Sequence, residues 1–179
     1  MSPHRLWREA TEEHRRWLLI NAIVIAAVVN AALNALIAWG TAAGEDEIPL
    51  WAAPLAEGPS TITDTVGTFF ILPLITTLVI TSVVWHELRE RRLAPLTRRT
   101  AGVLARLPGK RLRRGAYFGA ICTVVLGPPA VLVLLLLDFG DISVGDFVLY
   151  KAIFGVVLGA LVTPPIALAA MTDAQHRPG

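Results

Sequence analysis

The chain predicts an all-α integral membrane protein of four transmembrane helices, built as two similar helical hairpins. Three observations predict it. Four apolar runs, Trp17 to Trp39, Val66 to Trp85, Tyr117 to Leu137 and Leu149 to Met171, are nearly free of charge. Each has roughly the twenty residues that a helix needs to cross a hydrocarbon layer of about 30 Å. Hydrophobic residues make up 54 % of the chain and charged residues only 17 %, more apolar surface than a soluble core of this size can hide. Finally, almost every basic residue lies on one side of the four runs, while the two other connections carry acidic residues, with Lys151 alone on the positive side.

Residues 1–16 form a short segment with Arg5, Arg8, Arg15 and Arg16. Basic residues are retained in the cytoplasm during insertion, so this segment is expected inside. Trp17 opens the first span and Trp39 closes it, as indole rings do at a membrane edge. Thr41-Ala42-Ala43 could mimic a signal-cleavage site, but a signal core has roughly 7–15 apolar residues and this run is longer. An uncleaved first helix is expected. The first hairpin, 17–85, then holds an external loop over 40–65 with Glu45, Asp46, Glu47, Glu57 and Asp64. Within it, Ile48-Pro49-Leu50-Trp51 and Pro54-Leu55 form an apolar patch that either folds over the bundle as a lid or rests on the bilayer.

The link 86–116 carries Arg89, Arg91, Arg92, Arg98, Arg99, Arg106, Lys110, Arg111, Arg113 and Arg114. Its apolar stretch Ala101 to Leu107 is flanked by Arg98, Arg99, Lys110, Arg111, Arg113 and Arg114, the pattern of a short helix lying on anionic lipid headgroups. Nucleic acid is not an expected partner, because topology explains the charge and no aromatic interleaving or reading module accompanies it. His86-Glu87 lacks a second histidine four residues on, where Glu90 stands, so no metal site is expected.

The second hairpin, 117–171, has a short external turn with Asp138, Asp141 and Asp146, read as capping and solubilising carboxylates; the tail 172–179 returns inside. The topology is N-in and C-in, and the expected location is the plasma (inner) membrane. Cys122 is the only thiol, which excludes an intramolecular disulfide. No serine, histidine, lysine or carboxylate is expected deep within a span. Neither catalysis nor a cofactor is therefore expected.

Placing Trp17 on Tyr117 brings Trp39 onto Phe139 and Gly40 onto Gly140, while Gly67 on Gly155 brings Thr76-Thr77 onto Pro164-Pro165. Both hairpins start inside, so a duplication would give parallel repeats about an axis along the membrane normal. Polar and helix-breaking residues gather near mid-depth: Asn30 and Asn34, Pro73 with Thr76 and Thr77, Pro128 and Pro129, and Thr163 with Pro164 and Pro165. Proline frees a carbonyl one turn back, which hydrocarbon cannot satisfy.

Two readings stay open. In one, Asn30, Asn34, Thr76, Thr77 and Thr163 line a substrate or ion path beside the proline breaks, as in a small transporter or channel. In the other, prolines tune packing, threonines repair the backbone, and the protein is an accessory, scaffold or lipid-interacting component. Gly119, Thr123 and Gly127, with Gly155, Gly159 and Thr163, predict a tight pair of the third and fourth helices. Four kinked helices rarely enclose a large cavity alone, so a homo-oligomer is expected.

Overall fold

A computed structural model describes residues 12–52, 59–96, 107–137 and 140–173. Four long apolar helices account for most of it: α1 Glu12–Thr41, α2 Thr61–Arg89, α3 Arg111–Leu137 and α4 Val144–Met171, of 30, 29, 27 and 28 residues. At 1.5 Å per residue these lengths reach about 40–45 Å, the hydrocarbon layer plus its headgroup zones. All four are long and apolar enough to cross a membrane. Large side chains turned outward, such as Val124 at 72 % and Leu136 at 74 % exposure, belong against lipid rather than water.

The ends of the helices follow local chemistry. Ser60 caps α2 by accepting from the Thr63 amide at 3.3 Å, and Ser143 caps α4 by accepting from the Asp146 amide at 3.1 Å. Asp64 and Asp146 lie in the first turns, where a carboxylate complements the positive helix end. Within α1, residues Leu18–Ile25 are wound as a π-helix. The prolines do not break the spans: Pro73, Pro128 with Pro129, and Pro164 with Pro165 all lie inside continuous helices.

Close packing runs between α1 and α4, between α2 and α3, and between α2 and α4. The lateral order is therefore α1, α4, α2, α3. This corrects the expected α3–α4 pair, since their small residues meet other helices. A methyl added at Gly119 would come 2.6 Å from the Phe70 carbonyl oxygen on α2. One added at Gly155 would come 2.6 Å from the Asn30 carbonyl oxygen on α1. A small-residue stripe permits close approach without naming the partner. The apolar core lies around α2 and α4, with Leu72, Val84, Leu158, Val162 and Ile166 buried in one cluster that Phe118 and Cys122 of α3 join.

Each end of the bundle is closed by short-range bonding. At the acidic end, strands β1 Glu47–Ile48 and β2 Ile142–Ser143 pair antiparallel, Glu47 opposite Ser143 and Ile48 opposite Ile142. This ties the loop of one hairpin to the turn of the other. Ile48 is fully buried with Ala38, Ala42 and Phe147, so this part of the apolar patch folds onto the bundle, whereas Trp51 is 60 % exposed. At the basic end, Arg114 forks onto Asp173 at 2.8 and 2.7 Å and donates to the Pro108 carbonyl at 3.1 Å. The His14 ring nitrogen lies 2.8 Å from the Ala94 carbonyl oxygen.

Candidate functional site

Because α4 lies between α1 and α2, those two helices stand apart on the lipid-facing side and leave a lateral cleft. The α1 wall comes from residues spaced one turn apart, Asn30, Leu33, Asn34 and Ile37, which share a helix face. The α2 wall comes from Ile71 and Ile75, with Gly67, Thr68 and Asp64 toward the acidic end. The cleft has two chambers, of about 290 Å³ toward the acidic end and about 150 Å³ toward the basic end. Asn30, Leu33 and Ile75 line both, so the chambers adjoin at mid-depth. From Trp17 in the lower chamber to Ile37 in the upper, the helical rise amounts to roughly 30 Å, close to the hydrocarbon thickness.

Polar groups lie at the base of this apolar trough. Asn30 and Asn34 are 7 % and 6 % exposed. The Asn34 amide donates to the Asn30 carbonyl at 2.9 Å, and the Thr76 hydroxyl donates to Asn30 Oδ1 at 3.3 Å. Glycines on α4 make this possible: a methyl at Gly159 would come 2.5 Å from Asn30 Nδ2. Only glycine there lets a side-chain amide lie against a neighbouring helix.

The predicted path residues divide. Asn30, Asn34 and Thr76 come together in the cleft. Thr77 and Thr163 are fully buried and donate to carbonyls of their own helices, Pro73 at 2.7 Å and Gly159 at 2.6 Å. That is the local repair reading. Pro73 is buried, Pro164 and Pro165 are half-buried, and Pro128 and Pro129 face outward on α3, away from the α1–α2 cleft.

Of the predicted headgroup set, Lys110, Arg111 and Arg113 are exposed at the start of α3, while Arg98 and Arg99 lie outside the described residues. Arg114 departs from that expectation. It is 2 % exposed, and its guanidinium is held inside by Asp173. Asp138 also lies outside the described residues, and among those described no three His, Cys, Asp or Glu side chains converge as a metal would require.

Sequence reasoning missed one feature of the cleft. Lys151, about 10 Å into α4 by helical rise, is 1 % exposed and forms an ion pair with Asp64. Its ammonium also donates to the Thr68 hydroxyl at 2.5 Å and lies 5.3 Å from the Phe154 ring centroid. Thr68 in turn donates to the Asp64 carbonyl at 2.8 Å, and Thr65 shares a 2.8 Å bond with the Tyr150 hydroxyl. Asp64 and Thr68 thus bring a compensated charge pair to the wall of the upper chamber. The available signal was a lone cation inside an apolar run facing a run that begins with one carboxylate.

No protein-family model matches the chain, and neither the curated proteins nor the solved structures contain a significant match.

Proposed function

We propose that this protein takes an amphiphile laterally from the bilayer into the α1–α2 cleft and carries it past the mid-depth polar station of Asn30, Asn34 and Thr76. One observation carries the reading: a trough with apolar walls and a polar base, opening between two helices along nearly the whole hydrocarbon depth. An acyl chain matches such walls, and the amides offer hydrogen bonds where hydrocarbon offers none. The arginine distribution supports a basic end in the cytoplasm, in the plasma (inner) membrane.

The packing order supports the internal repeat. Exchanging α1 with α3 and α2 with α4 converts the α1–α4 pair into the α3–α2 pair and leaves the α2–α4 pair unchanged. Two parallel hairpins about an axis along the membrane normal have this property. A homo-oligomer belongs to the same proposal, with the cleft facing lipid rather than the second copy.

Leu33 and Ile75 are 42 % and 40 % exposed and line both chambers, so Leu33→Trp with Ile75→Trp fills the cleft without entering the core. In liposomes, a photoactivatable acyl lipid is expected to label α1 and α2 in the native protein and to lose that labelling in the double variant. Equal labelling of both proteins removes the cleft as the binding site. A second reading, binding without passage, is favoured by Thr77 and Thr163, whose hydroxyls are occupied by their own helices. Transbilayer movement of a fluorescent lipid separates the two: labelling without movement leaves an accessory or lipid-binding role.

A further inference from the structure

We propose that a second site, at the basic end between α2 and α3, holds the phosphate of an anionic phospholipid. A shallow depression of about 920 Å³ lies there, with Leu78, Val79 and Val83 as its apolar wall and Ser82, Lys110 and Arg111 at its rim. Arg111 is held in place: it donates to the Ser82 hydroxyl at 2.6 Å, and its guanidinium carbon lies 5.1 Å from the Trp85 ring centroid. Stacked on an indole and bonded to a hydroxyl, the side chain has lost most of its freedom before any ligand arrives. Among the described residues, neither Lys110 nor Arg111 forms an ion pair with a carboxylate. Two uncompensated cations therefore adjoin an apolar wall at the depth where an indole marks the membrane edge.

That combination selects the occupant. A soluble anion would satisfy the charges but leave the valines and leucine unused, and a zwitterionic lipid would bring its own cation to the rim. An anionic phospholipid satisfies both, with its phosphate at Arg111 and Lys110 and an acyl chain along the wall. Val79 and Val83 also line the lower chamber of the cleft, so they form a ridge with a depression on either flank.

The site is independent of the proposed passage through the cleft, and its test is separate. Purified protein in a neutral detergent is titrated with phosphatidylglycerol or phosphatidylcholine, and bound lipid is counted by native mass spectrometry. The native protein is expected to prefer phosphatidylglycerol. Lys110→Gln with Arg111→Gln should weaken phosphatidylglycerol binding about thirtyfold and abolish the preference. Arg111→Lys should fall between, because charge remains while the planar fork and ring stacking are lost. Arg113→Gln serves as the control, being an exposed arginine on the same helix end that does not line the depression. Both glutamine variants alter exposed side chains and should melt as the native protein does. Equal losses in the Arg113 and Arg111 variants would mean diffuse attraction rather than a site. Equal binding of the two lipids, or full competition by millimolar inorganic phosphate, would also overturn the assignment.

Discussion

Gly155 and Gly67 allow the α1–α4 contact to be measured by difference. Both are glycines inside helices, and both become alanine at the same intrinsic gain in helix propensity, about 1 kcal/mol. Their surroundings differ. A methyl at Gly67 meets nothing within 4 Å, whereas one at Gly155 would lie 2.6 Å from the Asn30 carbonyl oxygen and 3.0 Å from Asn34 Nδ2. Ordinary contact begins at 3.4 Å, so the carbonyl must retreat by about 0.8 Å (3.4 less 2.6). The obstacle is backbone, which cannot swing aside as a flexible side chain would. α1 must lift from α4, weakening the Thr76 bond to Asn30 on the way. Overpacking of this kind costs about 1–3 kcal/mol. Gly155→Ala is therefore expected to unfold more easily than Gly67→Ala by about that amount, in reversible denaturation in mixed detergent micelles. Equal stabilities, or a more stable Gly155 variant, would show that α1 does not rest on α4 through this glycine.

Two further predictions address the polar groups. Lys151→Met leaves Asp64 without its cation, and Asp64→Asn leaves Lys151 without its anion; each should cost toward the lower end of about 3–5 kcal/mol, since Asp64 keeps some exposure. Combining the two should restore stability to within about 1 kcal/mol of native, and additive losses in the same assay would argue against the pair. Thr76→Val removes the only described hydrogen bond to Asn30 Oδ1 and should cost about 0.6–1.7 kcal/mol. Thr77→Val removes only a bond to its own helix and should change stability by less than about 0.5 kcal/mol. A larger loss for Thr77 than for Thr76 reverses the assignment of roles.

The spans were legible in the sequence because hydropathy over about twenty residues is a bulk property. The helices nevertheless run past the apolar ends: α2 begins at Thr61, where Ser60 caps it, and α4 at Val144, after Ser143. Ser60 with Thr63, and Ser143 with Asp146, each a capping serine three residues before its partner, carried that information. Helix neighbours were not legible. The glycine spacing on α3 and α4 announced close approach on both, yet Gly119 meets Phe70 and Gly155 meets Asn30, because nothing in a spacing encodes the partner. The amides of α1 are turned into the protein, since a polar group that hydrocarbon cannot satisfy needs a donor or acceptor there. Depth alone misled for Pro128 and Pro129. They share the level of Asn30, but their angular position on α3 turns them outward. Lys151 escaped notice because a cation near a helix end is usually taken to reach for the headgroups, and here it turns inward to Asp64.

The widened winding of Leu18–Ile25 sets the phase of everything before it. Trp17, Asn21 and Ile25 follow one another at intervals of four and all face the lower chamber, which a helix with more residues per turn keeps aligned better than an ordinary one. Winding these same eight residues at 3.6 per turn would turn each by about 100° instead of about 82°, and so rotate the whole amino-terminal end by roughly 145°. The indole of Trp17 would swing off the trough while Asn30 stayed where it is. The winding of one short segment, rather than any side chain in it, thus decides whether the trough extends to the basic edge of the membrane.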